Sequence, residues 1–334
     1  DFMHRPLPKH NNWHFDWSYT YNGVGNLATQ TDARDCMTTL SYDALNRLTG
    51  KSYSGPDACA TTAEVAYYYD DQSFSLLGVD YGGSTLNTIG RMTGMLDGSG
   101  ATLYAYDTRG RTVEQTKLIY QGTDTLAAET YETSFTYNSA DLPVTVTLPD
   151  GEVLTYIYDA QGSLLSLTGE DGTPYTYVKQ AEYDEAGRMT LLEVGQSSGN
   201  AVISKAYNYY SWTTSGMGGL LSSMAAVKTV GSVSVQNLAY SYDNNANITQ
   251  IVNSVAGETA AYSYDDLNRL TGAGVNDGQT DVYTEVFEYD PDTGQMSAKG
   301  PDTQNLTPYV YGASGHANAI SEFGDNDYYY DEDG

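Results

Sequence analysis

The sequence predicts an all-β repeat protein, a series of β-hairpins stacked side by side. Three observations carry that prediction. A tyrosine followed by Asp or Asn, a polar turn and a short aliphatic run recurs through the chain of 334 residues. A second aromatic often stands two residues earlier, as at Tyr19, Tyr104, Phe135, Tyr156, Tyr240, Tyr262, Phe287, Tyr309 and Tyr328. Helical spacing is hard to find, helix formers are thin, and Gly and β-branched residues are abundant.

In chain order, residues 1–18 read as an N-terminal lead-in or cap, with His4, His10, His14, Trp13 and Trp17. Residues 19–334 read as one repeat body, because each copy is too small to bury a core alone. The motif tyrosines are Tyr21, Tyr42, Tyr106, Tyr137, Tyr158, Tyr183, Tyr242, Tyr264, Tyr289, Tyr311 and Tyr330. Most neighbours are about 19 to 25 residues apart, near the range of solenoid repeats. The gap between Tyr42 and Tyr106 is wider, and Leu86-Asn87-Thr88-Ile89-Gly90-Arg91-Met92-Thr93 reads there as a copy lacking its tyrosine. In the gap between Tyr183 and Tyr242, Ser211 to Gly219 reads as an inserted loop and Gly218-Gly219-Leu220-Leu221 as a remnant copy. The end, Tyr328-Tyr329-Tyr330-Asp331, starts another repeat, which predicts an internal segment of a longer polypeptide.

Within a copy, strand side chains alternate faces, so the two aromatics share one face and Thr20, Thr136, Ser241 or Ser263 points the other way. The following Asp-x-x-Gly or Asp-x-x-Asn is a turn. Asp and Asn bind their own backbone two residues on, and Gly or Asn tolerates positive φ. Leu48-Thr49, Met189-Thr190, Ile248-Thr249 and Leu270-Thr271 then begin the return strand. With 32 tyrosines against six phenylalanines, the core has a polar rim whose hydroxyls need partners.

Composition narrows the function. Forty-three acidic against fifteen basic residues give a net charge of −28. That sign disfavours nucleic acid and anionic lipid as partners. No apolar run approaches the roughly 20 residues of a membrane span, so membrane insertion is not expected. The charge keeps a tyrosine-rich surface soluble. Calcium is a weaker reading, because no loop has EF-hand spacing and Asp70-Asp71, Asp265-Asp266 and Asp290 with Asp292 belong to repeat turns. The two cysteines, Cys36 and Cys59, stand about one repeat apart, which allows either a disulfide between adjacent coils or two buried thiols. Neither a metal site nor a cofactor is expected from them.

The pattern Tyr-x-Tyr-Asp-x-x-Gly-Arg-Leu-Thr resembles the RHS or YD-repeat family. Tyr42 to Gly50, Tyr183 to Thr190 and Tyr264 to Gly272 stand closest to its consensus. Tyr309-Val310-Tyr311-Gly312, then His316-Ala317-Asn318-Ala319-Ile320, resembles a late segment of the family. The resemblance covers about residues 19 to 334 and implies a left-handed spiral of β-hairpins wrapping into a hollow shell. It also implies a secreted or cell-surface protein, like the wall-associated proteins, polymorphic toxins, toxin-complex components and teneurins of that family. Bacterial members carry a self-cleaving region with Asp-Pro-x-Gly motifs. The one Asp-Pro here, Asp290-Pro291, stands in an ordinary repeat turn, so no catalytic residue carries over.

Other chemistry is thin. The early histidines could hold a ligand, but packing on the first coil explains them as well. Acidic residues recur with the turns, which speaks against a carboxylate pair for glycoside hydrolysis. Tyr209, Tyr210, Trp212 and Tyr329 fall off the register and could stack on sugars. Asn247-Ile248-Thr249 and Asn305-Leu306-Thr307 fit the glycosylation sequon. The sequence therefore points to a non-enzymatic extracellular structural protein. Its expected partner is an enclosed polypeptide cargo. The alternatives are further copies of itself, in a filament joined through β edges, and glycans or a receptor, in an adhesin.

Overall fold

The computed structural model describes residues 17–56, 59, 62–76, 79–82, 87–121, 124–195, 201–313 and 316–330. His4, His10, Trp13, His14 and Asp331 to Gly334 lie outside the described residues. Among the described residues the regular structure is strand, apart from Cys59 in a helical conformation. The fold is all-β, a succession of antiparallel hairpins. The chain divides into two compact units, Asp1–Leu154 with Tyr330–Gly334, and Thr155–Tyr329.

Each unit is a meander in which successive strands pair. In the first, this holds from Ser18–Tyr21 to Pro143–Thr147, with one inserted hairpin. In the second it holds from Leu164–Glu170 to Asn326–Asp327. The expected alternation is present. Tyr19 and Tyr21 are half-buried while Ser18 and Thr20 are exposed. Tyr262 and Tyr264 are half-buried while Ala261 and Ser263 are exposed. Rings two apart sit side by side, with Tyr156 and Tyr158 centred 6.3 Å apart. The opposite face carries hydroxyl pairs, Thr20 with Thr29 and Thr136 with Thr145, each 2.6 Å apart.

Two local devices recur at the turns. The strand register slips by one residue at the motif tyrosine: Ser41 faces Gly50 but Tyr42 faces Leu48. Thr49 is thus a bulge residue, and Thr271 takes the same place between Tyr264↔Leu270 and Ser263↔Gly272. The bulge bends the strand as it enters the turn. Two positions before the aliphatic residue, the backbone is left-handed, as at Asn46 (φ 62°), Gly187 (φ 77°) and Asn268 (φ 60°). That requirement explains the Gly or Asn of the motif.

Insertions account for the wide gaps. The copy expected to lack a tyrosine has one, Tyr69, which pairs with Met92 across residues 71–87. The Asp70 N–H donates to the Arg91 carbonyl at 3.0 Å, closing the turn over the insert. The second gap is built alike. Tyr209 pairs with Leu221, and the Tyr210 N–H donates to the Leu220 carbonyl at 2.8 Å. Tyr209 is thus a motif tyrosine rather than off register, and Gly218 to Leu221 complete its turn rather than form a separate copy.

The first insert holds a hairpin, Ser73–Leu76 with Val79–Gly82, that lies on the face opposite the motif tyrosines. Phe74 and Leu76 are buried there with Ala101 and Leu118, against Tyr68, Leu96 and Leu103. Gly94 makes the room: a Cβ there would lie 2.6 Å from the Phe74 ring. Cys36 and Cys59 are joined by a disulfide, with Cα atoms 5.6 Å apart. It ties the segment after Leu48–Ser54 to the start of Met37–Tyr42.

Candidate functional site

The chemistry of this chain is concentrated in the repeat turns. In the turn opened by Tyr42, Oδ1 of Asp43 accepts the N–H groups of Leu45 and Arg47, both at 2.9 Å. The Asp side chain folds the turn because it satisfies two donors that no strand partner reaches. Arg47 Nε then donates to Asp43 Oδ2 at 2.7 Å. The same guanidinium reaches the next turn, where Nη1 and Nη2 donate to the Asp70 carboxylate at 3.1 and 2.7 Å. Its plane lies over the Tyr69 ring, 4.4 Å from the centre. The Tyr69 hydroxyl donates back to the Leu48 carbonyl at 2.9 Å.

This relay repeats. Arg111 joins Asp107 to Asp141 and covers Tyr137 at 4.8 Å. Arg188 pairs with Asp184, donates to the Gly219 carbonyl at 2.8 Å and lies between Tyr209 and Trp212, at 4.2 and 4.6 Å. Arg269 pairs with Asp265, donates to the Gly294 carbonyl at 3.3 Å and covers Tyr289 at 4.3 Å. The backward hydroxyl bond is more general still. Tyr106, Tyr137, Tyr183, Tyr209, Tyr242, Tyr264, Tyr289 and Tyr311 each donate to the carbonyl that begins the preceding return strand, at 2.6 to 3.0 Å.

Asparagine makes a shorter version. Asn247 Nδ2 donates to Asp243 at 2.9 Å and to Asn268 of the next turn at 2.8 Å. That sequon nitrogen is therefore engaged in the turn. The nitrogen of Asn305 is held likewise, by Asp302. The Asp290-Pro291 turn is an ordinary repeat turn lengthened by one residue, with the Asp290 N–H on the Gln295 carbonyl at 2.8 Å.

The surroundings set the charges. The Arg47 side chain, with the Gly90 N–H, holds the Asp70 carboxyl below the usual carboxylate range. The backbone N–H of Arg47 does most to lower Asp43, and the Arg188 side chain does so for Asp184. Burial pushes the phenols of Tyr209, Tyr242 and Tyr264 up. The turns are thus ionised carboxylates clamped by cations, with neutral phenols beneath. That is the chemistry of a joint, since each carboxylate already has donors and the phenols are held as donors themselves.

Among the described residues, no three His, Cys, Asp or Glu side chains are grouped to hold a metal ion. Of the motif tyrosines named from sequence, Tyr21, Tyr42, Tyr106, Tyr137, Tyr158, Tyr183, Tyr242, Tyr264 and Tyr289 end strands, Tyr311 lies inside Thr307–Ala313, and Tyr330 stands outside the strands. Trp17 lies beside Tyr19, ring centres 6.4 Å apart, at a cleft of 480 Å³ that also meets Cys36 and Cys59. His316 begins a strand. Sequence reasoning missed Tyr69 and Tyr209, although the orphaned Gly90-Arg91-Met92-Thr93 already showed that a Tyr-Asp half stood upstream.

Comparison with known proteins agrees with this geometry. The RHS Repeat family model matches residues 21–57 and 137–174. A search of the curated proteins finds no match. Among solved structures, TcdB2-TccC3 superposes with a TM-score of 0.73 at 19% identity, over 95% of this chain and 17% of that one. TcdB2-TccC3-Cdc42 gives 0.72 at 18%, over 95% and 17%. A Photorhabdus luminescens Tc holotoxin pore with a TccC3 substitution gives 0.71 at 18%, over 92% and 16%. The fold and its turns define a hairpin-repeat protein whose side chains join one repeat to the next. Two stretches of the chain, residues 21–57 and 137–174, are RHS repeats by the family model. The chain spans about a sixth of the length of the structures it resembles.

Proposed function

We propose that the chain is a non-enzymatic, secreted wall segment of an RHS-type shell that encloses a polypeptide. The relay of Asp, Arg and Tyr carries this reading. In each complete turn, the carboxylate, the guanidinium and the phenol are spent on holding neighbouring repeats in register. A wall needs that continuity, whereas a catalytic site needs one place where such groups are free to act. The likeness in fold to TcdB2-TccC3 supports the reading. The net charge of −28 fits a role away from nucleic acid.

The test uses the complete gene product that contains this chain. Electron microscopy should show closed hollow particles, and limited proteolysis should spare a segment that becomes digestible once the particle is opened. Regular fibres, or open ribbons with every segment equally digestible, would overturn enclosure in favour of an edge-joined surface module. Hydrolase activity abolished by one carboxylate substitution would overturn the non-enzymatic part. Selective binding on a glycan array, with no protected segment, would point to an adhesin.

A further inference from the structure

In the second unit one turn has the relay's acceptors without its cation. The turn opened by Tyr158 carries Ser163 where Arg111, Arg188 and Arg269 stand in theirs. The rest of the turn is standard. Oδ1 of Asp159 accepts the N–H groups of Gln161 and Ser163 at 2.9 and 2.8 Å. The next tyrosine is also in place, with the Tyr183 hydroxyl on the Leu164 carbonyl at 3.0 Å. A serine side chain is too short to cover that ring. A cleft of 500 Å³ opens there instead, lined by Asp159, Ser163, Tyr183, Asp184, Glu185 and Gly187.

The glycines of equivalent turns give an independent measure of this opening. A Cβ on Gly110 would lie 2.0 Å from Arg91, and one on Gly294 would lie 3.8 Å from Arg269, each the arginine of the preceding turn. A Cβ on Gly187 would meet nothing within 4 Å. The space that a guanidinium occupies elsewhere in this chain is open behind Tyr183.

We propose that this cleft binds a guanidinium group, supplied by an arginine side chain of another polypeptide segment. The in-chain arginines define how it is held. The planar cation stacks on the Tyr183 ring as Arg269 does on Tyr289. One edge donates to the Asp159 carboxylate, as Arg269 does to Asp265. The other edge reaches the Gly187 carbonyl, whose counterpart Gly294 accepts from Arg269. Glu185 adds negative charge at the mouth. An ammonium has no plane to lay on the ring and no fork for the two acceptors, so arginine is preferred to lysine. The inference rests on the sister turns and stands whether or not the shell reading holds.

The test is a titration of the 334-residue chain with N-acetyl-arginine amide, followed through the NMR signals of the Tyr183 ring. N-acetyl-citrulline amide has nearly the same shape without the charge, and should bind at least about tenfold more weakly. The substitution Ser163→Arg supplies the cation from within the chain. It should abolish binding and raise the melting temperature. Asp159→Asn keeps the carbonyl acceptor of the turn and should weaken binding about tenfold. Absence of saturable binding to the unaltered chain, equal binding of citrulline, or binding unchanged in Ser163→Arg would each overturn the proposal. The citrulline comparison needs no variant, so it decides even if a substitution fails to fold.

Discussion

The Arg47 guanidinium lies 4.4 Å from the centre of the Tyr69 ring, although the two residues belong to different repeats. The Tyr69 hydroxyl in turn holds the carbonyl of Leu48, the residue after Arg47. Two neighbouring turns are thus fastened twice, forward by the cation and backward by the phenol. Neither bond exists within a single copy, so each measures the interface between repeats.

Arg47→Met should therefore lower the melting temperature, because it strips Asp43 and Asp70 of their shared cation and leaves Tyr69 uncovered. Arg109→Met should do less. Arg109 also reaches Asp141, at 2.8 Å, but both side chains are 49% exposed, against 21% and 25% for Arg47 and Asp70. Exposed pairs contribute little. Thermal melts of both variants at low and high salt check this, and equal losses would contradict the relay.

Tyr264→Phe keeps the ring and removes one hydroxyl from the Ile248 carbonyl, a bond of 2.9 Å. The expected loss is about 1 kcal/mol, the usual cost of deleting one such bond. Denaturant titration against the parent chain measures it. A neutral result would mean that water replaces the phenol without cost.

Stability should fall on both sides of a plateau in pH. The carboxyls of Asp43, Asp70, Asp184 and Asp265 are lowered in the fold. Their contribution is present above the unfolded value, about 3.9, and is lost as the pH falls through the lower folded values. The phenols of Tyr209, Tyr242 and Tyr264 are raised by burial. Their contribution is complete below the unfolded value, about 10, and is lost as the pH rises toward the higher folded values. Melting temperatures across the pH range, read beside phenolate absorbance, test both limbs. Stability unchanged between about pH 5 and pH 2 would argue against the carboxylate clamps.

Ala246 holds φ at 68° in the position that is Gly or Asn in most other turns. Its Cβ crowds the backbone there, which glycine avoids. Ala246→Gly should raise stability by about 0.5–1 kcal/mol, after allowing for the extra freedom of glycine in the unfolded chain. A loss of that size in the same denaturant assay would mean that the entropy of the unfolded chain outweighs the relief.

Thr93 occupies the bulge beside the first insert, 3% exposed, and its hydroxyl has no partner among the described residues. Thr93→Val keeps the shape and removes an oxygen that burial leaves unpaired. A gain of about 1 kcal/mol is expected. An unchanged midpoint would show that the hydroxyl finds a partner in solution.

How much of this was legible beforehand differs between residues. Tyr183, Asp184, Gly187 and Arg188 stand within six residues and form one turn, so the sequence shows them together. Tyr69 and Arg91 do the same job across an insertion, and the Tyr-Asp half was separated from its Gly-Arg half. Tyr209 was hidden further, since Tyr210 stands where Asp usually does. The apolar cluster under Phe74 was also hidden, because Tyr68 and Leu96 share a face only once their strands pair.

By itself the sequence determined the strand, its aromatic face, the turn and the residue that must adopt a left-handed backbone. Those depend on side chains and backbone groups within a few residues of one another, and such short-range chemistry is written in order along the chain. Only the tertiary structure decided which turn follows which in space, and so which arginine lies on which ring. It also decided that Ser163 leaves the Tyr183 ring uncovered, because that opening is set by the distance between two repeats and not by either one alone.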